Sequence, residues 1–343
     1  MSDAAGVAAS AGVPVRCARA PIGRYLGRGV LALVVALVLA WVGYKGSTDV
    51  GKFWTVSLNG ITEASRLFIV ASGFTLIFGL MRVVNMAHGS FFLLGGYIAF
   101  EVQKNWGNWG LGLLIACLGI GATGILTQQA FLRWNQGQEL RQALITIAIS
   151  IILADQMLGE FGGAGVEITW PPQLDKSSPL HFFHLRYPFT GFFTLFCAIA
   201  IGVLLWLWLK RTRSGMIIRA GVDDRAMVSA LGINIQVIFA LAFAIGSALA
   251  AFGGVLYGSY AGLAPGYDAL FLLNSLIVVI IGGLGSIGGA AVGALLLGMV
   301  RNYSNVYLIF GSQDYTYYSI IATFALLVFV LAVRPLGLFG RPA

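Results

Sequence analysis

Hydrophobic positions in this chain run together in long blocks. The stretches 105–132, 187–209, 226–267, 269–300 and 315–333 contain no Asp, Glu, Lys or Arg. Each approaches or exceeds the roughly 20 apolar residues that a helix needs to cross a bilayer. Barrel strands alternate apolar and polar residues in segments of about ten, whereas these runs are continuously apolar and rich in Leu, Ile and Ala. The pattern predicts an all-α integral membrane protein, a polytopic bundle of about eight spanning helices. Their expected positions are 27–44, 56–80, 84–102, 110–132, 142–160, 188–209, 236–261 and 316–334. The remaining stretch, 269–300, is long enough to span, but Gly282-Gly283-Leu284-Gly285-Ser286-Ile287-Gly288-Gly289 sets five glycines in its centre. Each glycine weakens a helix interior by about 1 kcal/mol. Two shorter helices meeting at a glycine-broken, re-entrant turn are therefore expected, a geometry tolerated at membrane depth where protein or a cavity surrounds it.

Composition agrees with this reading: of 343 residues, 58% are hydrophobic and 10% charged, too little polar material to coat a soluble globule. The formal charge of +8 does not point to nucleic acid, because the basic residues sit in loops between apolar segments, where they set orientation. If 269–300 enters and returns on one side, fourteen Lys and Arg share one face and six the other, with Arg66 left inside a helix. A single span would move Arg334 and Arg341 to the less basic face, so the hairpin is preferred and both termini are expected in the cytoplasm. Arg16, Arg19, Arg24 and Arg28 precede the uncharged run 29–44, which lacks a small-residue cleavage pattern and reads as a retained first helix. The expected layout is a cytoplasmic tail at 1–26, a membrane domain at 27–339 with a long cytoplasmic loop at 210–235, and a short tail at 340–343. Cys17, Cys117 and Cys197 suggest no disulfide framework.

Candidate chemistry is sparse. No Gly-rich loop ends in Gly-Lys-Ser/Thr, since Gly51-Lys52 is followed by Phe53, so nucleotide hydrolysis is not expected on this chain. No metalloprotease or nucleophile-elbow motif occurs, and His181-Phe-Phe-His184 reads as an external loop with no metal site. Glu63 and Arg66, spaced i, i+3, and Asp155 lie inside predicted spans, where an ionised group costs at least about 2.5 kcal/mol and is a functional candidate by default. They read either as structural pairs between or along helices or as contacts on a solute path. Asn85 and His88 read either as candidates for the translocation path or as a packing corner, in which Asn85 caps the following span, Ala87 and Gly89 allow close packing and His88 bonds a neighbouring helix. Gly282, Gly283, Gly285 and Ser286 border the re-entrant break and are candidates for the path itself. In the cytoplasmic loop, Asp223–Leu231 reads as a short helix opened by Asp223 and closed at Gly232. Within it Met227, Val228 and Leu231 would gather on one side, next to Asp224 and Arg225.

Three of these segments also carry a resemblance. Phe78-Gly79-Leu80-Met81-Arg82-Val83-Val84-Asn85-Met86-Ala87-His88-Gly89 resembles the signature of branched-chain amino acid ABC permeases, in which an Asn-x-Ala-His-Gly turn joins a helix pair. Arg219-Ala220 through Asp223, Ala226 and Leu231-Gly232-Ile233-Asn234 resembles that family's ATPase-facing loop. Ile281 through Gly289 resembles its glycine-rich membrane turn. The resemblance runs from about residue 55 to 339, whereas residues 1–50 and Glu63-Ala64-Ser65-Arg66-Leu67 depart from the pattern. It implies an inner-membrane permease subunit, not an enzyme, that moves branched-chain amino acids or a related small solute. It implies a second homologous permease, two cytoplasmic ATPase subunits, a periplasmic solute-binding protein and surrounding membrane lipid as partners. Asp223, Asp224, Arg225, Met227, Leu231 and Gly232 would form the ATPase-coupling helix, and ATP and Mg would be used by the partner subunits, with no cofactor on this chain. The alternative is a self-contained channel or secondary transporter for a small solute such as urea or an amide, using the paired half-helices as its filter.

The charge count yields a topology test. With the three native cysteines replaced, an impermeant thiol reagent added to intact cells is expected to label single cysteines within 45–52, 160–186 and 306–314. It is expected to miss those within 133–141, 210–225 and at 341. Labelling at 341 overturns the hairpin assignment.

Overall fold

The computed structural model describes residues 49–81, 84–175, 177–180, 185–223, 225–307, 309–310, 313–314 and 318–340. The described chain is helical apart from two short antiparallel hairpins. In one, β1 (Ser177–Leu180) pairs with β2 (Leu185–Pro188), and in the other β3 (Ile309–Phe310) pairs with β4 (Gln313–Asp314). His181, His184 and the expected span at 27–44 lie outside the described residues.

Helix α1 (Val50–Met81) is the axis of the bundle. At 32 residues it is about 48 Å long, and it is buried along most of that length. Helices α2 (His88–Trp106) and α3 (Trp109–Thr127) follow, the latter ending in a π-helical turn at Gln128–Leu132 and a 3-10 turn at Arg133–Asn135. Next come α4 (Glu139–Phe161), α5 (Phe189–Arg211), the short α6 (Arg213–Asp223) and α7 (Arg225–Ala230), and α8 (Ile235–Ala261). The chain closes with α9 (Tyr267–Gly282), α10 (Ile287–Tyr307) and α11 (Tyr318–Val333). Asparagine side chains cap two of these: Asn108 accepts from the Leu111 amide and Asn234 from the Gln236 amide, both at 3.1 Å.

Helices α8, α10, α9 and α5 surround α1, and α2 and α3 pack on α8. Such proximity needs small residues where backbones cross. A Cβ on Gly73 of α1 would stand 2.4 Å from the Gly246 carbonyl oxygen of α8, and one on Gly254 of α8 would stand 2.0 Å from the Phe92 carbonyl oxygen of α2. By contrast α4 and α5 bury few residues and leave Leu144, Ile151, Ile152, Phe196, Val203 and Leu204 exposed. Apolar surface on that scale requires lipid or protein against it.

Among the described residues five helices are long and apolar enough to cross a membrane, α1, α3, α4, α5 and α8, and the α9–α10 pair makes a sixth if counted once. The expected count of about eight is thus reached only in part. Helix α2 starts four residues later than expected and carries Glu101, Gln103, Lys104 and Asn105 in its last turns. Helix α11 has 16 residues, about 24 Å against a hydrocarbon core of roughly 30 Å.

The glycine run breaks 269–300 into two helices whose axes differ by 115°. Gly283 and Gly285 have φ of 102° and 80°, in the left-handed region that only glycine enters without strain. Ser286 Oγ accepts from the Gly289 amide at 3.0 Å and opens α10. The last carbonyls of α9 are satisfied from the far end of the chain: Leu338 N donates to Ile281 O and Phe339 N to Gly282 O, both at 2.9 Å. Gly285 packs against Gly79 of α1, so this corner ties α1, α9, α10 and the C-terminal segment together.

Within the loop at 210–235 the helical part starts earlier than the expected Asp223, at Arg213. Helix α6 covers Arg213–Asp223 and α7 covers Arg225–Ala230, so Asp223 does not open a helix as expected, and Asp224 lies outside the described residues. Gly232 follows with φ 77° and ends the element. The extra helix α6 starts beside Thr212, whose hydroxyl accepts from the Gly215 amide at 3.1 Å, a local capping contact that outweighs the flexibility of Gly215.

These crossings predict that Gly254→Val, which drives a side chain into the Phe92 backbone, destabilises the folded protein by about 1–3 kcal/mol or more. Its monodisperse peak in detergent gel filtration should be lost. Gly119→Ala on α3, where a Cβ meets nothing within 4 Å, should leave that peak unchanged.

Candidate functional site

Helix α1 carries ionisable side chains into the most enclosed part of the bundle. Glu63 and Arg66 lie three residues apart and share one helix face. Arg66 is 4% exposed, and its Nη2 and Nε donate to Glu63 Oε2 at 2.6 and 3.2 Å. The guanidinium also lies 3.7 Å from the centre of the Tyr260 ring, whose π face replaces part of the hydration lost on burial. Arg301 of α10 approaches Glu63 Oε1 at 3.7 Å. One carboxylate therefore serves two guanidinium groups, and the cluster holds an excess positive charge in a setting where screening by water is weak.

Beside it, the Tyr187 and Thr62 hydroxyls are hydrogen-bonded to each other, and Tyr187 Oη donates to Leu58 O at 3.0 Å. Asn59, Thr190 and Thr194 join Arg66, Tyr187 and Tyr260 around a cavity of about 20 Å³, enough for a water molecule. On α8, one turn before Tyr260, Tyr257 packs edge-on against Phe271 and Tyr267 with ring centroids 4.5 and 5.7 Å apart. Phe92 stacks on Phe271 at 4.0 Å. These rings form an apolar wall joining α2, α8 and α9.

The other residues singled out in the sequence occupy separate places. His88 is fully buried at the start of α2; its Nε2 is 2.9 Å from Val70 O, and its ring meets Phe74 edge-on at 5.4 Å. Asn85 is not the cap of that helix. Its Oδ1 accepts from the Ala87 amide two residues on, at 3.1 Å, while Ala87 holds the cap position without a side-chain bond. The short Asn side chain closes its own turn before the helix begins. Gly282, Gly283, Gly285 and Ser286 pack at the Gly79 end of α1, thirteen residues and about 20 Å along the helix from Arg66. Asp155 lies on α4, on the wall of a cleft formed with α2 and the start of α9. In α7 Val228 is buried and Met227 66% exposed, and Leu231 just past its end is 73% exposed, so these three residues do not share one fate.

Sequence reasoning treated Arg301 as a loop charge and had no signal for Tyr260, Tyr187, Tyr97 or Asp268. Arg301 follows the uncharged run 269–300 directly, and only the length of α10, which continues to Tyr307, carries it inside the bundle.

A bundle of long apolar helices, folded around a buried and unbalanced charge cluster and broken by a glycine corner, defines a multi-pass membrane protein. Residues 56–331 match the protein family described as the branched-chain amino acid transport system permease component. The chain is 30% identical over 299 residues to the high-affinity branched-chain amino acid transport system permease protein LivH of Escherichia coli, covering 83% of this chain and 94% of the relative. It is 32% identical over 303 residues to the corresponding protein BraD of Pseudomonas aeruginosa, covering 83% and 95%. A more distant relative is LivM of Escherichia coli, a permease protein of the same description, at 25% identity over 341 residues, 90% of this chain and 73% of the relative. No solved structure matches the chain. The chain belongs to the branched-chain amino acid transport permease family.

The charge cluster yields a double-substitution test. Glu63→Gln leaves the Arg66 guanidinium buried beside a neutral amide and is expected to cost about 3 kcal/mol, read as a lowered melting midpoint in detergent. Adding Arg66→Gln to it should restore most of the folded yield. Arg66→Gln alone should fold, and its effect on solute uptake then reports on solute contact. Full uptake in the double variant removes Arg66 from the solute path.

Proposed function

We propose that this chain is one permease half of an ATP-driven importer in the bacterial inner membrane, passing branched-chain amino acids or a related small amphipathic solute. The observation that carries this reading is the family match over residues 56–331, which takes in the helical bundle and the 210–235 loop together. The relatives named for branched-chain amino acid transport support the solute class. Similarity to both LivH and LivM supports pairing with a second, homologous permease. Because the sequence has no nucleotide-binding loop, ATP and Mg are assigned to two cytoplasmic ATPase subunits, and delivery of solute to a periplasmic binding protein. No observation favours a self-contained channel.

In this reading both termini are cytoplasmic and the membrane domain is 27–339, with eight spans plus the α9–α10 hairpin. Closure of the ATPase pair pushes on α6 and α7 and swings the helices to which they are joined, α5 and α8, so that access alternates between the two faces. Asp223, Asp224, Arg225, Met227, Leu231 and Gly232 form the contact, with the exposed pair Met227 and Leu231 as its apolar part. Arg66 and Arg301, sharing Glu63, offer their excess positive charge to the carboxylate of the passing solute. Tyr257, Phe271 and Phe92 stand near enough to shield an apolar side chain from water.

The exposure of Leu231 makes the coupling assignment testable without disturbing the permease's own core. Leu231→Asp is expected to keep the folded yield, yet to lower co-purification of the ATPase subunits and ATP-driven leucine uptake in proteoliposomes at least tenfold. Val228→Asp, at a buried position, should instead lose the folded protein. Unchanged assembly and uptake in Leu231→Asp, together with no crosslinks from 223–233 to the ATPase, defeats the docking role.

A further inference from the structure

A second polar site lies apart from the Arg66 cluster, in the cleft of about 370 Å³ between α2, α4 and the turn that starts α9. Its walls are mostly apolar, with Leu93, Ile151 and Pro265 among them. Its polar side chains are two carboxylates, Asp155 and Asp268, and the Tyr97 phenol. Neither carboxylate makes an ion pair among the described residues, and the cleft is lined by no Lys, Arg or His. Tyr97 is fully buried and held flat against Phe161, with ring centroids 4.2 Å apart and planes 11° apart, yet its hydroxyl has no hydrogen-bond partner.

Each of these facts is costly without an occupant. Asp155 is exposed six residues from the end of α4, and its exposed neighbours include the apolar Ile151, Ile152 and Leu158 as well as Gln156 and Glu160. A carboxylate facing hydrocarbon there would be strongly disfavoured, and a buried hydroxyl left unbonded is rare. Two negative charges and one hydroxyl oxygen supply three acceptors, the number of donors on a primary ammonium. The cleft is far larger than a bare metal ion needs and falls in the size range of sites for small organic ligands.

We infer that this cleft binds the ammonium group of an amphipathic solute, with the solute's apolar side chain against Leu93, Ile151 and Pro265. The inference deepens the importer reading and rests on it only for the identity of the solute. Asp155 and Asp268 accept two of the ammonium's N–H donors, its charge offsetting one of their two, and Tyr97 accepts the third while donating its own proton to a carboxylate.

The test is alkylation protection in the full transporter complex, with native cysteines replaced by alanine and Ile151→Cys as reporter. The probes are leucine, leucinamide (which keeps the ammonium and lacks the carboxylate), 4-methylpentanoate (which lacks the ammonium) and sodium chloride. Leucine and leucinamide are expected to slow alkylation, 4-methylpentanoate and sodium are not, and Asp155→Asn or Asp268→Asn should raise the leucinamide concentration needed at least tenfold. Tyr97→Phe, which removes only the hydroxyl, should raise it severalfold while the complex still assembles. Protection by sodium alone overturns the inference in favour of an inorganic cation site, and equal protection by 4-methylpentanoate makes the cleft merely apolar. Absence of all protection in a complex that still imports leucine overturns the site and leaves the importer reading standing. Protection by leucinamide in a complex that imports no leucine supports the site and overturns the importer reading.

Discussion

Helix α1 is enclosed along most of its length, and the packing of every other core helix depends on how closely backbones approach it and its neighbour α8. A membrane-embedded bundle cannot rely on water to drive its helices together, so contact between backbones and small side chains carries the association. Gly73 against Gly246, and Gly254 against the Phe92 carbonyl, are where that contact is made. The glycine corner at 282–289 belongs to the same network. It seats Gly285 on Gly79 and draws Leu338 and Phe339 over the end of α9, so the terminal carbonyls of a broken helix are not left unpaired.

Against this close packing, the charged groups of the bundle stand out by their imbalance. Arg66, Glu63 and Arg301 hold more positive than negative charge, and the α2–α4–α9 cleft holds only negative charge. Arg66 alone of the three is deeply buried, and the carboxylate that compensates it is shared with the partly exposed Arg301 at 3.7 Å. Unbalanced groups of opposite sign in different parts of one bundle suit a solute that is itself zwitterionic and carries an apolar side chain. The aromatic wall of Phe92, Tyr257 and Phe271 is continuous with α9, whose first turn supplies Asp268.

The chain by itself determined the class of structure. Uncharged runs of about 20 residues or more leave a helix as the way to satisfy the backbone in lipid, and glycine clusters mark where a helix must break. The motifs around Asn85–Gly89, 219–234 and 281–289 carried the family. Helix existence was legible for the same reason that boundaries were not: hydrophobic runs continue smoothly through turns such as 84–87, where hydrogen bonding by Asn85 decides the start of α2. The start of α6, ten residues before the expected helix, turned on a local bond between Thr212 and Gly215 that periodicity does not register.

What the tertiary structure alone decided was which charges meet. Glu63 and Arg66 were readable as a pair because a helix places residues three apart on one face. Arg301 joins them across more than two hundred residues because α10 crosses α1 at Gly298 and Ala64. Tyr97, Asp155 and Asp268 share a cleft because α2 and the start of α9 meet where Gly89 touches the Asp268 backbone. Sequence spacing encodes neighbours along one helix; neighbours across helices depend on where small residues let backbones cross, and that is settled only when the bundle is packed.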